Sequence, residues 1–280
     1  MPRIMLLLMF GLSFCLAGCG GDNTAVHVIS REDGSGTRSA FVELFGIEEK
    51  NASGEKVDMT TTAAQITNNT AVMLTSVAGD DNAIGYVSLG SLNKSVKAVN
   101  IDGTAPTVEN VQSGAYKAVR YFSIVEGTRE QESAAKDFLN FILSQEGQNI
   151  VAESGYVPLE NADEYKKTPG AGKIVVAGSS SVTPVMEKLA EAYQKLNGQV
   201  TIEVQQSDST TGINAALDNL ADFGMSSRSL KAVEKERGAK EIHIAADGIA
   251  VIVSKGNKTE DLSSAEVKAI FTGNVSDWSK

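Results

Sequence analysis

Ala25-Val26-His27-Val28-Ile29-Ser30-Arg31-Glu32-Asp33-Gly34-Ser35-Gly36-Thr37 passes from strand-like alternation into a turn rich in glycine and hydroxyls. Ser39-Ala40-Phe41-Val42-Glu43-Leu44-Phe45 follows with helical spacing and stops at Gly46. Glycines at a strand-to-helix turn let backbone N–H groups converge on a ligand, and the helix N-terminus adds partial positive charge. Ser35 and Thr37 can donate hydroxyl hydrogen bonds, and Arg31 can clamp two oxygens at once. The stretch reads as a cradle for a tetrahedral oxyanion or, more plainly, as a capped helix start.

Outward from this turn, strands and helices alternate. Ala83 to Val87, Val96 to Ile101 and Val119 to Val125 read as strands, and Ala71 to Val77, Thr107 to Gln112 and Gln131 to Ser144 as helices. Asn161 to Gly172 is polar, carries Pro169, Gly170 and Gly172, and is the best linker candidate. A second series begins at Lys173 to Ala177, a strand, followed by the turn Gly178-Ser179-Ser180-Ser181. After Pro184 a helix aligns Met186, Leu189, Ala190, Tyr193 and Leu196. Val200 to Val204 and Ala221 to Met225 are strands, and Ile242 to Val253 is a long apolar run interrupted at Asp247-Gly248. This rhythm predicts α/β layers with mostly parallel pairing.

The composition narrows the function. With 280 residues the chain can form one large or two medium domains, and a formal charge of −10 argues against nucleic acid or another polyanion as partner. One buried anion is still compatible, because short dipoles and one arginine act locally. Arg3, the apolar stretch Ile4 to Phe14 and Leu16-Ala17-Gly18-Cys19 read as a leader, residues 1–19, ending in a lipobox, with Cys19 as the lipidated residue. Only Gly20 to Thr24 would separate that lipid from the first strand, a reach of roughly 15–18 Å. The other cysteine, Cys15, lies inside the leader, so a mature chain has neither a disulfide nor a cysteine-based metal site. His27 and His243 sit in strand-like runs and do not suggest a metal pair.

Four segments repeat one design: Arg31 to Thr37, Gly178 to Val182, Ser207 to Gly212 and Gly224 to Arg228. In open α/β sheets ligands bind beyond the carboxyl ends of strands, where such turns gather. One serine-rich turn is ordinarily a helix cap. Four of them, dominated by neutral donors, point to a site that buries a small desolvated anion. Catalysis fits less well: Ser181 or Ser35 could be a nucleophile, but neither has a histidine at a familiar spacing. Ser91-Leu92-Asn93-Lys94 has the S-x-x-K form without its usual partner motifs.

Several stretches resemble the phosphate-binding lipoproteins of bacterial phosphate ABC transporters, the PstS family. They are GSSSVTPVMEKLAEAY (178–193), DSTTGINAAL (208–217), ADFGMSSRSL (221–230), ADGIAVIVSKGN (246–257), VKAIFTGNVSDW (267–278) and REDGSGTRSAF (31–41). The resemblance spans nearly the whole mature chain. It implies an α/β fold of the two-lobe, type II periplasmic-binding-protein kind, with a hinge and phosphate in the cleft. The segment order differs from the family's, in which the GSSSV-like stretch comes first and FTGxxxxW leads into RxDGSGT. The sequence reads as a circular permutant whose old ends join through residues 161–172; a truncated tandem duplication is the alternative. One lobe would be continuous, 119–255, and the other split, 20–118 plus 256–280.

The resemblance also implies roles. Phosphate would be held by Ser180, Ser181, the Val182 N–H, Ser209 and Ser227 from one side, and by Arg31, Ser35, Gly36 and Thr37 from the other. Some family members carry a carboxylate at the position of Ser227, where it accepts the proton of hydrogen phosphate and so disfavours sulfate. Asp33, Asp208 or Asp247 could supply that acceptor here, or hydroxyl orientation could replace it. No cofactor and no metal are expected. The implied protein is a monomer on the extracytoplasmic face of the cell membrane, anchored through Cys19, handing phosphate to the permease of an ABC transporter. The competing readings are binding or sensing of another oxyanion without transport, and a secreted serine hydrolase or phosphatase.

Overall fold

The computed structural model describes residues 24–168 and 170–279. The leader with Cys19, Gly20 to Asn23, Pro169 and Lys280 lie outside the described residues. The main sheet runs in the spatial order Val200–Ser207, Gly172–Ser179, Phe223–Ser226, Val119–Glu126, Lys240–Ser254, Ala83–Ser88, His27–Arg31, Gln65–Thr67. Val96–Ala98 pairs off this path with Lys240–Ser254. Both wings are parallel, as the alternating pattern predicts. The centre is not: Val119–Glu126 pairs antiparallel with Phe223–Ser226 and Lys240–Ser254, and Lys240–Ser254 antiparallel with Ala83–Ser88. The expectation of mostly parallel pairing is corrected to a mixed sheet.

The break expected at Asp247-Gly248 is also absent, because Lys240–Ser254 is one strand of 15 residues. It changes partners there instead. Up to Gly248 it pairs with Val119–Glu126, and from Ile249 it pairs with Ala83–Ser88. The same strand therefore feeds two cores. Ile244 and Ala245 pack with Phe122, Phe138, Met186 and Tyr193, while Ile249, Val251 and Val253 pack with Phe41, Tyr86 and Phe271. Gly248 suits the switch: a Cβ there would come within 2.9 Å of Val111 Cγ2.

The first and last described segments lie side by side. Val26 N–H donates to the Ser276 carbonyl at 2.9 Å and Trp278 N–H to the Thr24 carbonyl at 2.8 Å. Trp278 Nε1 adds a bond to the Asn82 carbonyl. Behind them the helix Ser264–Phe271 docks Phe271 against Phe41 and Tyr86, whose own rings stack at 3.9 Å. Packing thus holds the 267–278 stretch to the first strand without a connecting loop.

The stretch 161–172 has the composition of a linker but is tied down. Asp137, fully buried on the helix Ser133–Leu143, accepts from Tyr165 OH at 2.7 Å, Tyr193 OH at 2.8 Å and the Thr168 N–H at 2.7 Å. Lys167 Nζ reaches the Leu196 carbonyl, and Asn197 Nδ2 the Gly170 carbonyl. Burial, with Asp137 adding to it, pushes the Tyr165 hydroxyl above its ordinary range. Replacing Asp137 with Ala strands buried donors and is expected to cost about 1–3 kcal/mol in urea unfolding. An unchanged unfolding midpoint would show that the strap contributes nothing.

Candidate anion-binding site

Because each wing is parallel, the turns of each wing gather at its strand carboxyl ends, and the turns of the two wings meet one another. Four helices start there: Gly36–Leu44, Thr70–Ala78, Thr183–Leu196 and Ser209–Leu217. Three are capped by side chains: Ser35 Oγ accepts from Arg38 N–H, Asn69 Oδ1 from Val72 N–H, and Asp208 Oδ1 from Thr211 N–H. None of the four has an acidic residue in its first turn. Of the remaining helices, Val108–Gln112, Gln145–Glu153, Ala232–Glu236 and Ser264–Phe271 carry Glu109, Glu146, Glu234 and Glu266 at that place, and Ser133–Leu143 carries none. At the cleft, most of the favourable interaction of negative charge with a helix N-terminus is left for something other than the chain's own first-turn carboxylates.

The hydroxyls of both sides meet directly. Thr37 Oγ1 and Ser181 Oγ share a hydrogen bond of 2.8 Å, and Arg31 Nη2 donates to Ser180 Oγ at 3.1 Å. Thr70 Oγ1 lies 3.3 Å from Ser180 Oγ and 3.4 Å from Ser181 Oγ. Deeper in, Ser179 Oγ donates to Ser227 Oγ at 2.9 Å, Ser209 Oγ lies 3.3 Å from Ser227 Oγ, and Ser227 N–H donates to Ser209 Oγ. All of these residues are buried, Ser209 and Ser227 completely. The turn needs glycine at position 36, where a Cβ would come within 2.3 Å of Ser209 Oγ and 2.6 Å of Ser227 Oγ. Chemically the cluster is rich in neutral donors, each hydroxyl able to rotate toward a negatively charged oxygen.

Of the residues expected from sequence, Arg31, Thr37, Ser180, Ser181, Ser209 and Ser227 come together, with the Gly36 backbone against them. Ser35 is buried beside them as the cap of its helix. The Val182 N–H donates to the Ser179 carbonyl at 3.0 Å, closing the turn before the helix. The three acceptor candidates each have partners of their own. Asp33 faces solvent with its side chain 97% exposed and pairs with Arg38, not Arg31. Asp208 caps its own helix through Thr211 N–H and Oγ1. Asp247 is held by Arg120 Nε at 3.0 Å and Ser88 Oγ at 2.8 Å. Burial pushes its carboxyl above the usual range even so, against the pull of Arg120.

Sequence reasoning missed four residues here. Glu32, not Asp33, braces Arg31, with Oε2 2.8 Å from Nε and Oε1 2.7 Å from Nη2. Ser179 and Thr70 join the hydroxyl cluster. Arg120, buried, donates from Nη1 to the Ser227 carbonyl at 3.2 Å. For Thr70 a signal existed, since Thr67-Asn68-Asn69-Thr70 is a fifth polar turn between a strand and a helix.

Comparison with known proteins places this geometry in a class. The chain matches the PBP superfamily domain over residues 18–146 and 163–280 and belongs to that superfamily, with its periplasmic-binding-protein-like fold. It is 55% identical over 269 residues to "Phosphate-binding protein PstS 2" of Streptococcus agalactiae, covering 94% of this chain and 92% of that one. It is 42% identical over 290 residues to the protein of the same name in Streptococcus pneumoniae, covering 99% and 98%. A crystal structure of a phosphate-binding protein of a phosphate ABC transporter from Streptococcus pneumoniae superimposes with a TM-score of 0.72, covering 91% of this chain and 98% of that one. Within the superfamily, the chain belongs to the PstS family.

The close fit at Gly36 gives a direct test. Gly36→Ala is expected to fold but to keep the two sides of the cleft from meeting, seen as a larger radius of gyration in solution scattering. An unchanged radius would mean that the contact with Ser209 and Ser227 is not limiting.

Proposed function

We propose that this chain captures inorganic phosphate between two α/β lobes and delivers it to the permease of an ABC transporter. The observation that carries the reading is the meeting of hydroxyls from both sides of the cleft around Arg31, at helix starts that lack first-turn carboxylates. Relatives named as phosphate-binding proteins over nearly their whole length support it. Arg31 supplies the full positive charge, held in place by Glu32. Ser180, Ser181, Ser209, Ser227, Ser35 and Thr37, with backbone N–H groups around Gly36, supply the remaining donors. With Asp33, Asp208 and Asp247 engaged elsewhere, the proton of hydrogen phosphate goes to a serine oxygen, so hydroxyl orientation does the work of a carboxylate acceptor.

PstS proteins are extracytoplasmic components of transporters, and among the described residues no helix is long and apolar enough to cross a membrane. In our reading the chain is a monomer anchored through Cys19. The lobes are joined where the Lys240–Ser254 strand changes partners at Gly248, several residues before the boundary at 255 expected from sequence, and where the chain enters Val119. The order of segments is a circular permutation. A single alignment covering nearly all of this chain and of its streptococcal relatives supports an order native to this branch, as does the pairing of the first and last described segments.

Arg31→Ala tests the site. Truncating a buried charge partner typically costs about 2–5 kcal/mol, or roughly 30- to several thousand-fold in phosphate affinity. Equilibrium dialysis against labelled phosphate should show that loss in a protein that still melts cooperatively. Asp33→Ala, at an exposed position paired with Arg38, should bind phosphate like the unaltered protein. Full affinity in Arg31→Ala would remove phosphate from this cleft.

A further inference from the structure

Arg120 and Asp247 face each other across the two strands that cross between the cores, as register partners. Arg120 Nε donates to Asp247 Oδ2 at 3.0 Å, and Nη2 lies 3.0 Å from the same oxygen as an ion pair. Ser88, on a strand of the other core, donates to Asp247 Oδ1 at 2.8 Å. On its far side Arg120 Nη1 reaches the Ser227 carbonyl. A chain of contacts thus runs Ser88, Asp247, Arg120, Ser227, from one core through both crossings to the floor of the site. The guanidinium is buried over the Phe122 ring at 5.1 Å, and its Nη2 makes no well-directed hydrogen bond. An incompletely satisfied buried guanidinium is costly unless it serves the arrangement around it.

We propose that Arg120 is a positioning residue of the anion site: it clamps the Ser227 turn to the crossing strands and places positive charge behind it. Asp247 sits on the side away from Ser227, so the pair presents its positive end to the cleft. The clamp also ties the Ser227 hydroxyl and N–H to the strand switch at Gly248. The angle between the two halves and the shape of the site are then set together. This rests on the reading of the cleft as a phosphate site.

The test is calorimetric phosphate titration of the protein beginning after Cys19, unaltered and as Arg120→Gln, Asp247→Asn and the double variant, each with a thermal melt. Removing Arg120 should weaken phosphate binding at least tenfold. Removing the charge of Asp247 should strengthen it, because Arg120 then faces the cleft without its counter-charge. A purely structural pair predicts loss in both. Shifts in the same direction, or no shift in proteins that melt cooperatively, would overturn the proposal. Should Arg120→Gln not fold, Asp247→Asn decides: tighter phosphate binding supports the proposal, and weaker or unaltered binding overturns it. An unaltered protein that takes no phosphate sinks the functional reading itself, an outcome distinct from variants that bind as well as it does.

Discussion

One strand, Lys240–Ser254, sets the terms for the rest of the molecule by belonging to two cores. An α/β lobe with a parallel wing gathers its turns at the carboxyl ends of its strands. Two such wings bring their turns to a shared place only if those ends face each other. The partner change at Gly248, with Val119–Glu126 crossing beside it, achieves this. The hydroxyl contacts between the two sides, among them Thr37 with Ser181 and Thr70 with Ser180, follow from that placement.

The chemistry assembled there relies on dipoles and neutral donors more than on net charge. Arg31 is paired with Glu32, and Arg120 with Asp247. Beside these pairs stand helix starts without first-turn carboxylates and a cluster of buried hydroxyls bonded to one another. Such an arrangement works inside a chain of charge −10, because a buried anion interacts with the groups around it far more strongly than with screened surface carboxylates.

Much of this was legible in the sequence because the turns are local. Glycine and hydroxyls between a strand pattern and a helix pattern announced the turns at Arg31, Ser180, Ser209 and Ser227, and the structure brings those four together. Long-range pairing was not legible. Whether Glu32 or Asp33 would brace Arg31 depends on which way the turn faces, and Arg38 draws Asp33 outward. Arg120 lies in an ordinary strand and meets Ser227 only after the sheet forms. Asn161 to Gly172 has the composition of a free linker, yet one buried carboxylate, Asp137, pins it. The central antiparallel strands escaped notice for the same reason: periodicity reveals a strand but not the direction of its neighbour.

Calorimetric titration of protein beginning after Cys19 and stripped of ligand, first with phosphate and then with sulfate, is the most direct test. Tight one-to-one binding of phosphate is expected, with sulfate much weaker. No heat from phosphate in a protein that melts cooperatively would contradict it, leaving the fold in place and the cleft without its assigned ligand.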